Sequence, residues 1–178
     1  HSTVMMGVPT YYTRLLSADR FTADVCQRVR LFISGSAPLL ADTFTEFEQR
    51  TGHAILERYG MTETGMNTSN PLKGERRAGT VGFPLPGVSA RICSDDDKVL
   101  PPGEVGGLQV QGPNVFSGYW NMPDKTAEDF TADGYFITGD QAVLDEDGYV
   151  SIVGRSKDMV ITGGLNVYPK EVELLIDG

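Results

Sequence analysis

Residues 53–65 of the 178-residue chain read HAILERYGMTETG, an apolar run followed at once by a ring, glycines, hydroxyls and a carboxylate. The apolar part, His53–Leu56, predicts a short strand, and Tyr59–Gly65 is predicted to be the loop that leaves it. A ring can stack on a base, a hydroxyl can contact a phosphate, and a carboxylate can hold Mg²⁺. The segment therefore suggests a nucleotide site, although a polar turn with a buried tyrosine would explain the same residues.

The sequence before this stretch alternates between strand and helix patterns. Val4–Val8 predicts a buried strand, Pro9–Leu16 a helix entered through proline, and Val29–Ile33 a second strand. A further helix is indicated by apolar residues at helical spacing, Leu40, Phe44 and Phe47. This order predicts a parallel sheet covered by helices, and such sheets bind ligands at the carboxyl ends of their strands. The loops Ser34–Pro38 and Tyr59–Gly65 are therefore expected to line one crevice.

From about Gly79 the pattern changes to short alternating strands rich in glycine and proline. Asp145–Gly148 is a turn between the apolar runs Ala142–Leu144 and Tyr149–Val153, which predicts a hairpin. The fold class is therefore α/β and then mostly β, with a parallel α/β portion followed by an antiparallel sheet or small barrel.

Three regions follow from these patterns. Residues 1–78 are the α/β portion of a large domain, residues 79–156 are its β-rich subdomain, and residues 157–178 begin a further domain. The polar, glycine-led segment Gly154–Asp158 is the predicted hinge. Both ends suggest a piece of a longer protein, because the apolar run near His1 begins at once and the helix after Pro169 stops when barely formed.

The composition limits the classes of function. A net charge of -9, from 15 Lys and Arg against 24 Asp and Glu, disfavours nucleic acid or a membrane surface as a partner. Cys26 and Cys93 are isolated, without metal-binding spacing, and predict reduced thiols in a cytoplasmic protein. No apolar run approaches the length of a membrane span.

Other polar positions carry two readings each. Asp140, which is predicted to end a strand beside Gly139, can accept two hydrogen bonds from a ribose diol or simply occupy a tight turn. Arg155 can contact a ribose or phosphate, or can be a solvated surface arginine. The loop of Ser34, Gly35 and Ser36 can offer N–H groups to a nucleotide, or can be an ordinary strand-to-helix turn.

The order of these segments resembles the adenylate-forming superfamily of acyl-CoA synthetases, adenylation domains and luciferases. The resemblance covers essentially all 178 residues and rests on four separated groups of residues, namely Tyr59–Glu63, Gly103–Gly106 with Gly118–Trp120, Tyr135–Asp140, and Gly154–Asp158 with Gly163-Gly164 and Pro169–Glu173. A closer similarity, to malonyl-CoA synthetases, rests on Gly7–Leu16, Phe32–Leu39, Glu57–Asn67 and Gly164–Glu171.

The resemblance implies a role for each matching residue. Tyr59 would stack on adenine, Thr62 would contact the α-phosphate, and Glu63 would hold Mg²⁺. Asp140 would bind the ribose hydroxyls with help from Arg155. The remaining nucleotide-binding positions would be Ser36, Ala37, Pro38, Glu57, Arg58 and Gly60.

For the acyl group, the resemblance places Met61 at the pocket, and Arg14 is a candidate partner for a second carboxylate. Arg14 also fits a surface position on an amphipathic helix equally well. Lys157 would be the hinge residue. The family's phosphate loop is absent from the sequence, and so is its adenylating lysine, which neither Lys157 nor Lys170 represents. The 178 residues alone are therefore expected to be inactive.

The activity implied is an ATP-dependent acid–thiol ligase. It would form an acyl-adenylate and then an acyl-CoA from malonate or methylmalonate, using ATP, Mg²⁺ and coenzyme A. Two alternatives stay open at this stage, namely an adenylation domain that loads a carrier protein, and a non-catalytic nucleotide-binding module.

Overall fold

Two sheets, each with its own apolar core, make up most of the computed structural model, which describes residues 2–162, 165–169, 172–173 and 176. The first sheet contains five strands in the order β1-β2-β3-β4-β5. Their bounds are β1 Val4–Gly7, β2 Leu31–Ser34, β3 Leu56–Met61, β4 Gly65–Ser69 and β5 Phe83–Pro84. β1, β2 and β3 are parallel, whereas β4 and β5 continue the sheet in antiparallel pairing.

Three helices accompany this sheet, α1 Pro9–Leu16, α2 Ala23–Cys26 and α3 Ala41–Thr51. α1 has the predicted bounds, and its proline occupies the first turn, where a missing N–H does no harm. α3 ends at Gly52, whose φ of 75° is the left-handed conformation that glycine adopts readily at helix ends.

The first core forms where α1 and α3 meet the parallel strands. Phe47 of α3 is completely buried and its ring lies against three other aromatic rings, those of Tyr12, Phe21 and Phe32. Burying a side chain of this size stabilises the fold by roughly 1.5–3 kcal/mol. The predicted helical face of Leu40, Phe44 and Phe47 is confirmed for the two phenylalanines, whereas Leu40 is the residue that precedes α3.

The second sheet is antiparallel, with strands in the order β6-β7-β8-β9. Their bounds are β6 Ser89–Cys93, β7 Gly106–Gln111, β8 Phe136–Leu144 and β9 Val150–Arg155, with the short helix α4 Pro123–Glu128 between β7 and β8. The predicted hairpin is confirmed as β8–β9. Among the described residues β6 and β9 do not pair, so this sheet is open and the small-barrel alternative was wrong.

After β9 the chain forms a 3-10 turn, Ser156–Asp158, and then a two-stranded antiparallel ribbon of β10 Val160–Thr162 and β11 Leu165–Val167. The predicted flexible pair Gly163-Gly164 lies outside the described residues. The helix predicted after Pro169 also falls largely outside them. No helix in the described part of the chain is long and apolar enough to span a membrane.

Two predictions about the first sheet were wrong, the start of one strand and the loop expected after it. His53–Ile55 are not in a strand, because β3 begins only at Leu56 and continues through Tyr59 to Met61. The expected loop at Tyr59–Gly65 is instead a β-hairpin, in which Tyr59 pairs with Thr68 and Met61 with Gly65. The apolar run marks where the chain enters the core, and antiparallel pairing with β4 extends the strand through the polar residues that follow.

Candidate functional site

A cleft of about 490 Å³ lies between the two sheets and the segment that follows β9. Its walls come from four parts of the chain: the loop after β2, strand β3, strands β8 and β9, and the residues after them. The lining residues are Ser36, Ala37, Pro38, Leu39, Ala41, Glu57, Arg58, Tyr59, Gly60, Gly79, Val81, Asp140, Ile152, Val153, Gly154, Arg155, Asp158, Pro169 and Glu173. A cleft of this size falls in the range of small-molecule sites.

The parallel pairing of β2 and β3 explains two of these walls. Ser34, at the end of β2, is in register with Glu57 of β3, so the loop of Ser36–Pro38 lies beside the middle of β3. Ser36 has a φ of 68°, which turns the chain back toward that strand. The Glu57 carboxylate is buried and accepts a hydrogen bond from the Leu39 N–H at 3.3 Å, which ties the loop to β3. The predicted shared crevice is therefore present, but of the segment Tyr59–Gly65 only Tyr59 and Gly60 line it.

Tyr59, Asp140 and Arg155 form a hydrogen-bonded group in the cleft. The Tyr59 hydroxyl donates to Asp140 Oδ2 at 2.5 Å, and Arg155 Nε donates to Asp140 Oδ1 at 2.8 Å. These residues come from three strands, β3, β8 and β9, and Tyr59 and Asp140 are 81 positions apart in the sequence. Each carboxylate oxygen keeps a second lone pair, so Asp140 can still accept hydrogen bonds from a ligand.

Local structure holds Asp140 in this position. Its N–H donates to the Thr138 hydroxyl at 3.1 Å, and that hydroxyl donates to the Leu108 carbonyl on β7 at 2.8 Å. Gly139 has a φ of 74°, which supplies the local twist. Asp140 was predicted to end a strand, but β8 continues to Leu144, and Asp140 lies next to a register shift at Gln141. Pairing with β9 carries the strand past the glycine.

The electrostatics of the group follow from its burial. Burial raises the pKa of Asp140, whereas the hydrogen bond from Tyr59 and the charge of Arg155 act in the opposite direction. The pKa of Tyr59 is raised well above its usual range by burial first and then by the Asp140 charge. Tyr59 therefore stays protonated and acts as a donor to Asp140.

Thr62 and Glu63 occupy the turn of the β3–β4 hairpin. The Thr64 N–H donates to the Met61 carbonyl at 3.2 Å, and Gly65 follows with a φ of 60°. Thr62 is exposed and Glu63 is half-buried. The Tyr119 hydroxyl approaches Glu63 Oε1 at 3.4 Å. The pKa of Tyr119 is raised to about 12, chiefly by burial and by Asp129, so this hydroxyl keeps its proton.

The turn fits Mg²⁺ that arrives with a nucleotide. Among the described residues there is no group of three His, Cys, Asp or Glu side chains that could hold a metal ion by itself. Mg²⁺ is commonly bound through one or two carboxylates together with substrate phosphates and water. The single carboxylate of Glu63, beside the exposed hydroxyl of Thr62, matches that second arrangement.

Some predicted site residues lie in the cleft and others do not. Arg58 is one that lines it, and Arg58 forms no salt bridge among the described residues. Met61 packs against the second core and its sulfur lies 3.8 Å from the Tyr59 hydroxyl. Arg14 is exposed on α1, and Lys157 is exposed in the 3-10 turn; neither lines the cleft. Their acyl-binding and hinge roles stay predictions.

Sequence reasoning missed several walls of the cleft, including Val81, Ile152 and Val153. Ile152 and Val153 belong to the predicted hairpin strand, but the residues themselves carry no signal for a site. Their position depends on how the second sheet sits against β3. Asp158 and Glu173 add two carboxylates to the lining. Both belong to segments that carry the family resemblance, which implied no role for either.

Comparison with known proteins matches residues 1–120 to AMP-binding enzymes. This stretch includes the hairpin with Tyr59, Thr62 and Glu63. The chain belongs to the AMP-binding enzyme family. The resemblance to adenylate-forming enzymes is thereby confirmed.

Members of the AMP-binding enzyme family that match the chain include the malonate–CoA ligase of Arabidopsis thaliana, 47% identical over 180 residues, with 96% of this chain and 29% of that protein covered. The crystal structure of ATP-bound MatB from Rhodopseudomonas palustris is 61% identical, with a TM-score of 0.97, over 100% of this chain and 36% of that one. A malonyl-CoA ligase in a ternary product complex with methylmalonyl-CoA and AMP is 48% identical, with a TM-score of 0.79, over 97% and 38%.

The chain thus spans about a third of the length of these AMP-binding enzymes. The predicted fold class, an α/β part followed by an antiparallel β part, is confirmed by the structural similarity as well as by the strand order.

Proposed function

We propose that the 178 residues are one segment of a longer ATP-dependent acid–thiol ligase that converts malonate, or methylmalonate, to its coenzyme A thioester. The reaction has two steps. A substrate carboxylate attacks the α-phosphorus of ATP and releases pyrophosphate, and the thiol of coenzyme A then attacks the acyl carbon and releases AMP. The similarity to malonate–CoA ligases over almost the whole chain supports this choice of substrate.

The observation that carries the nucleotide part of the proposal is the Tyr59–Asp140–Arg155 group in the cleft. Asp140 is only 4% exposed, yet its carboxylate oxygens each retain acceptor capacity beside the cleft. Two vicinal hydroxyls of a ribose would use that capacity, with Arg155 fixing the carboxylate orientation. The Tyr59 ring, held through its hydroxyl, offers an aromatic face for adenine.

The hairpin turn serves the phosphates. Thr62 presents an exposed hydroxyl for the α-phosphate, and Glu63 presents the carboxylate for Mg²⁺. When bound, Mg²⁺ neutralises developing charge on the phosphate oxygens. Ser36, Ala37 and Pro38 line the cleft, and the N–H groups of Ser36 and Ala37 would contribute to nucleotide binding.

Malonate has a second carboxylate, and a buried anion needs a cation or several donors. Arg58 is the better candidate than Arg14, because Arg58 lines the cleft without a salt bridge in the described part of the chain, whereas Arg14 points to solvent. Lys157, between β9 and the ribbon of β10 and β11, is proposed as the hinge at which residues 157–178 turn relative to residues 1–78 and 79–156.

The proposal is tested by ATP–pyrophosphate exchange with the full-length protein that carries these residues, followed by detection of the thioester by mass spectrometry. We expect exchange with malonate and methylmalonate, and a malonyl-CoA product. The same assay with acetate, benzoate and amino acids is the substrate control. Exchange with one of these acids but not with malonate would overturn the substrate assignment. The 178 residues alone should give no exchange.

Two alternatives make different predictions in the same experiments. An adenylation domain that loads a carrier protein would exchange with malonate but would not release a coenzyme A thioester. A non-catalytic module would bind AMP without ATP–pyrophosphate exchange.

We also propose a cytoplasmic location, which is supported by two buried cysteines that are both free. Imaging of a fluorescent fusion of the full-length protein tests this location.

A further inference from the structure

Behind the hairpin turn of Thr62 and Glu63 lies a loop, Gly112–Gly118, to which the roles described above assign nothing. Its central polar side chain is Asn114. The Asn114 amide nitrogen donates to the Thr64 carbonyl at 2.7 Å, to Asn67 Oδ1 at 3.1 Å and to the Met66 carbonyl at 3.3 Å. One side chain therefore contacts three residues of the hairpin across a sequence separation of about fifty positions.

The same loop reaches Glu63 through its backbone. The Phe116 N–H donates to the Glu63 carbonyl at 2.8 Å, one residue before the carbonyl that Asn114 holds. Farther along, the Tyr119 hydroxyl lies 3.4 Å from the Glu63 carboxylate. Two consecutive carbonyls and the carboxylate itself are thus contacted from one segment, residues 114–119, which we name the brace.

The hairpin alone would leave this turn weakly fixed. Its own turn hydrogen bond, from the Thr64 N–H to the Met61 carbonyl, is 3.2 Å long, and Thr62 is exposed. Contacts with the backbone of a turn help to orient the side chains that the turn carries. The contacts from Asn114 and Phe116 supply that support on the inner side of the turn.

Burial makes the amide of Asn114 hard to replace. Thr64 and Asn67 are completely buried, so water reaches the carbonyl of Thr64 poorly. A buried carbonyl that loses its donor carries the full desolvation penalty. An aspartate at position 114 would match the asparagine in shape but could donate no hydrogen bond, and it would place a negative charge against two carbonyls.

We propose that Asn114 is a positioning residue that holds the Thr62–Gly65 turn so that the Glu63 carboxylate faces the Mg²⁺-bound phosphates. The proposal rests on the proposed function for its catalytic consequence and on the contacts of the brace for its structural one. Groups that orient a metal-binding side chain typically change metal affinity or activity by roughly 10- to 100-fold when they are removed.

The test compares Asn114→Asp with Asn121→Asp in the full-length protein. Asn121 is an exposed loop residue with a φ of 53°, which aspartate tolerates, and the same chemical change there leaves the turn untouched. In ATP–pyrophosphate exchange, Asn114→Asp should raise the Mg²⁺ concentration for half-maximal rate by about tenfold or more. The KM for malonate should change far less, and Asn121→Asp should behave as the wild type.

Hydrogen–deuterium exchange without ligands gives a readout that is independent of catalysis. Amides in peptides covering residues 60–68 should exchange at least several-fold faster in Asn114→Asp, whereas peptides from β1 and α3 should not change. Should Asn114→Asp fail to fold, Asn114→Ser, which keeps a short donor, is measured by both methods and should show a smaller shift in the same direction.

The outcomes separate the two proposals. The positioning role is overturned if the amides of residues 60–68 in the Asn114 variant exchange with deuterium at the wild-type rate. It is also overturned if the variant requires the same Mg²⁺ concentration as Asn121→Asp. Equal loss of Mg²⁺ and malonate affinity also overturns it, because that result indicates a general structural defect. If the wild-type protein shows no ATP–pyrophosphate exchange with any acid, the proposed function fails. Hydrogen–deuterium exchange then still decides whether Asn114 fixes the turn.

Discussion

Asp140 shows how one side chain acquires its chemistry from its surroundings. Tyr59 and Arg155 occupy one position on each carboxylate oxygen, and burial raises the pKa of the group. The folded chain therefore binds this proton more tightly than the unfolded chain does. The stability contributed by this group is greatest at low pH and falls as the pH rises from the unfolded pKa to the raised folded pKa. At neutral pH the ionised Asp140 therefore stabilises the fold less than its protonated form would, which is consistent with a residue kept for binding.

Asp140→Asn should therefore separate binding from stability. The melting temperature at pH 7 should be unchanged or higher, because Arg155 is 46% exposed and water can solvate its freed guanidinium. AMP affinity, measured by calorimetry, should fall about 10- to 100-fold, as expected for the loss of charged hydrogen bonds. Asp133→Asn is the control, since Asp133 pairs with Arg91 outside the cleft. Normal AMP binding by Asp140→Asn would contradict the ribose assignment.

Substitution of Arg58 tests the proposed contact with the second carboxylate of malonate. Replacing Arg58 by glutamine keeps a polar side chain that donates hydrogen bonds, but removes the charge and shortens the side chain. In the full-length protein, Arg58→Gln should raise the KM for malonate by roughly tenfold or more, because a buried carboxylate loses its cation. The KM for malonate should rise more than the KM for ATP, which separates this role from the nucleotide-binding role that the resemblance implied for Arg58. Arg14→Gln is measured beside it, and a larger malonate effect at Arg14 would show that the second carboxylate lies toward α1.

The β3–β4 hairpin carries Tyr59, Thr62 and Glu63 at fixed distances along one strand and turn. Its geometry depends on Gly60. A methyl group at that position would lie 2.0 Å from the Gly65 carbonyl oxygen and 3.0 Å from Met66 Cα, both parts of the facing strand's backbone. Backbone atoms cannot rotate away as a flexible side chain can, so the two strands would have to separate.

Gly60→Ala and Gly65→Ala form a matched pair. Gly65→Ala meets no atom within 4 Å and has only the cost of a φ of 60°, about 1–2 kcal/mol. Gly60→Ala should be more destabilising, because strand separation adds to an overpacking cost of about 1–3 kcal/mol. The melting temperature should therefore fall farther for Gly60→Ala, with loss of AMP binding. The reverse order would contradict the close approach of the two strands.

Some helices and strands could be predicted from local sequence patterns alone, and others could not. α1 was predicted with its observed bounds, because proline entry and an amphipathic face are both local signals. The β8–β9 hairpin was predicted from alternation around an acidic glycine turn. By contrast, the strand character of Tyr59 and of Asp140 depends on partner strands β4 and β9, and glycine next to each residue favoured a loop when the sequence was considered alone.

The whole molecule is arranged so that residues from all three predicted regions, 1–78, 79–156 and 157–178, meet at one cleft. Pro169 and Glu173, from the segment after the proposed hinge, line it together with β3 and β8. Rotation about the 3-10 turn Ser156–Asp158 would change which residues of that segment face the nucleotide. Such a rotation can rebuild one site for two successive steps.

A proline at the hinge tests this arrangement. Lys157→Pro fixes φ at position 157 and disfavours the helical conformation of Ser156 before it. The rate of adenylation is measured by pyrophosphate exchange, and the rate of thioester formation is measured from preformed acyl-adenylate. One of these two rates should fall by roughly tenfold or more relative to the other. Lys157→Ala should leave both steps close to the wild-type rates. Equal loss in both steps for Lys157→Pro would contradict the hinge assignment.

The sequence by itself determined the two-part fold class, the family resemblance, and the types of residue that meet a nucleotide. These properties are encoded in local periodicity, in glycine and proline positions, and in short motifs at characteristic spacing. Only the tertiary structure decided that Tyr59, Asp140 and Arg155 share hydrogen bonds, that Arg58 rather than Arg14 lines the cleft, and that Asn114 supports the Glu63 turn. The segment HAILERYGMTETG, residues 53–65, specifies the chemical groups, but packing of β8, β9 and the brace against it fixes their geometry. The sequence alone could not show this geometry, because contacts between residues about fifty or eighty positions apart leave no local pattern.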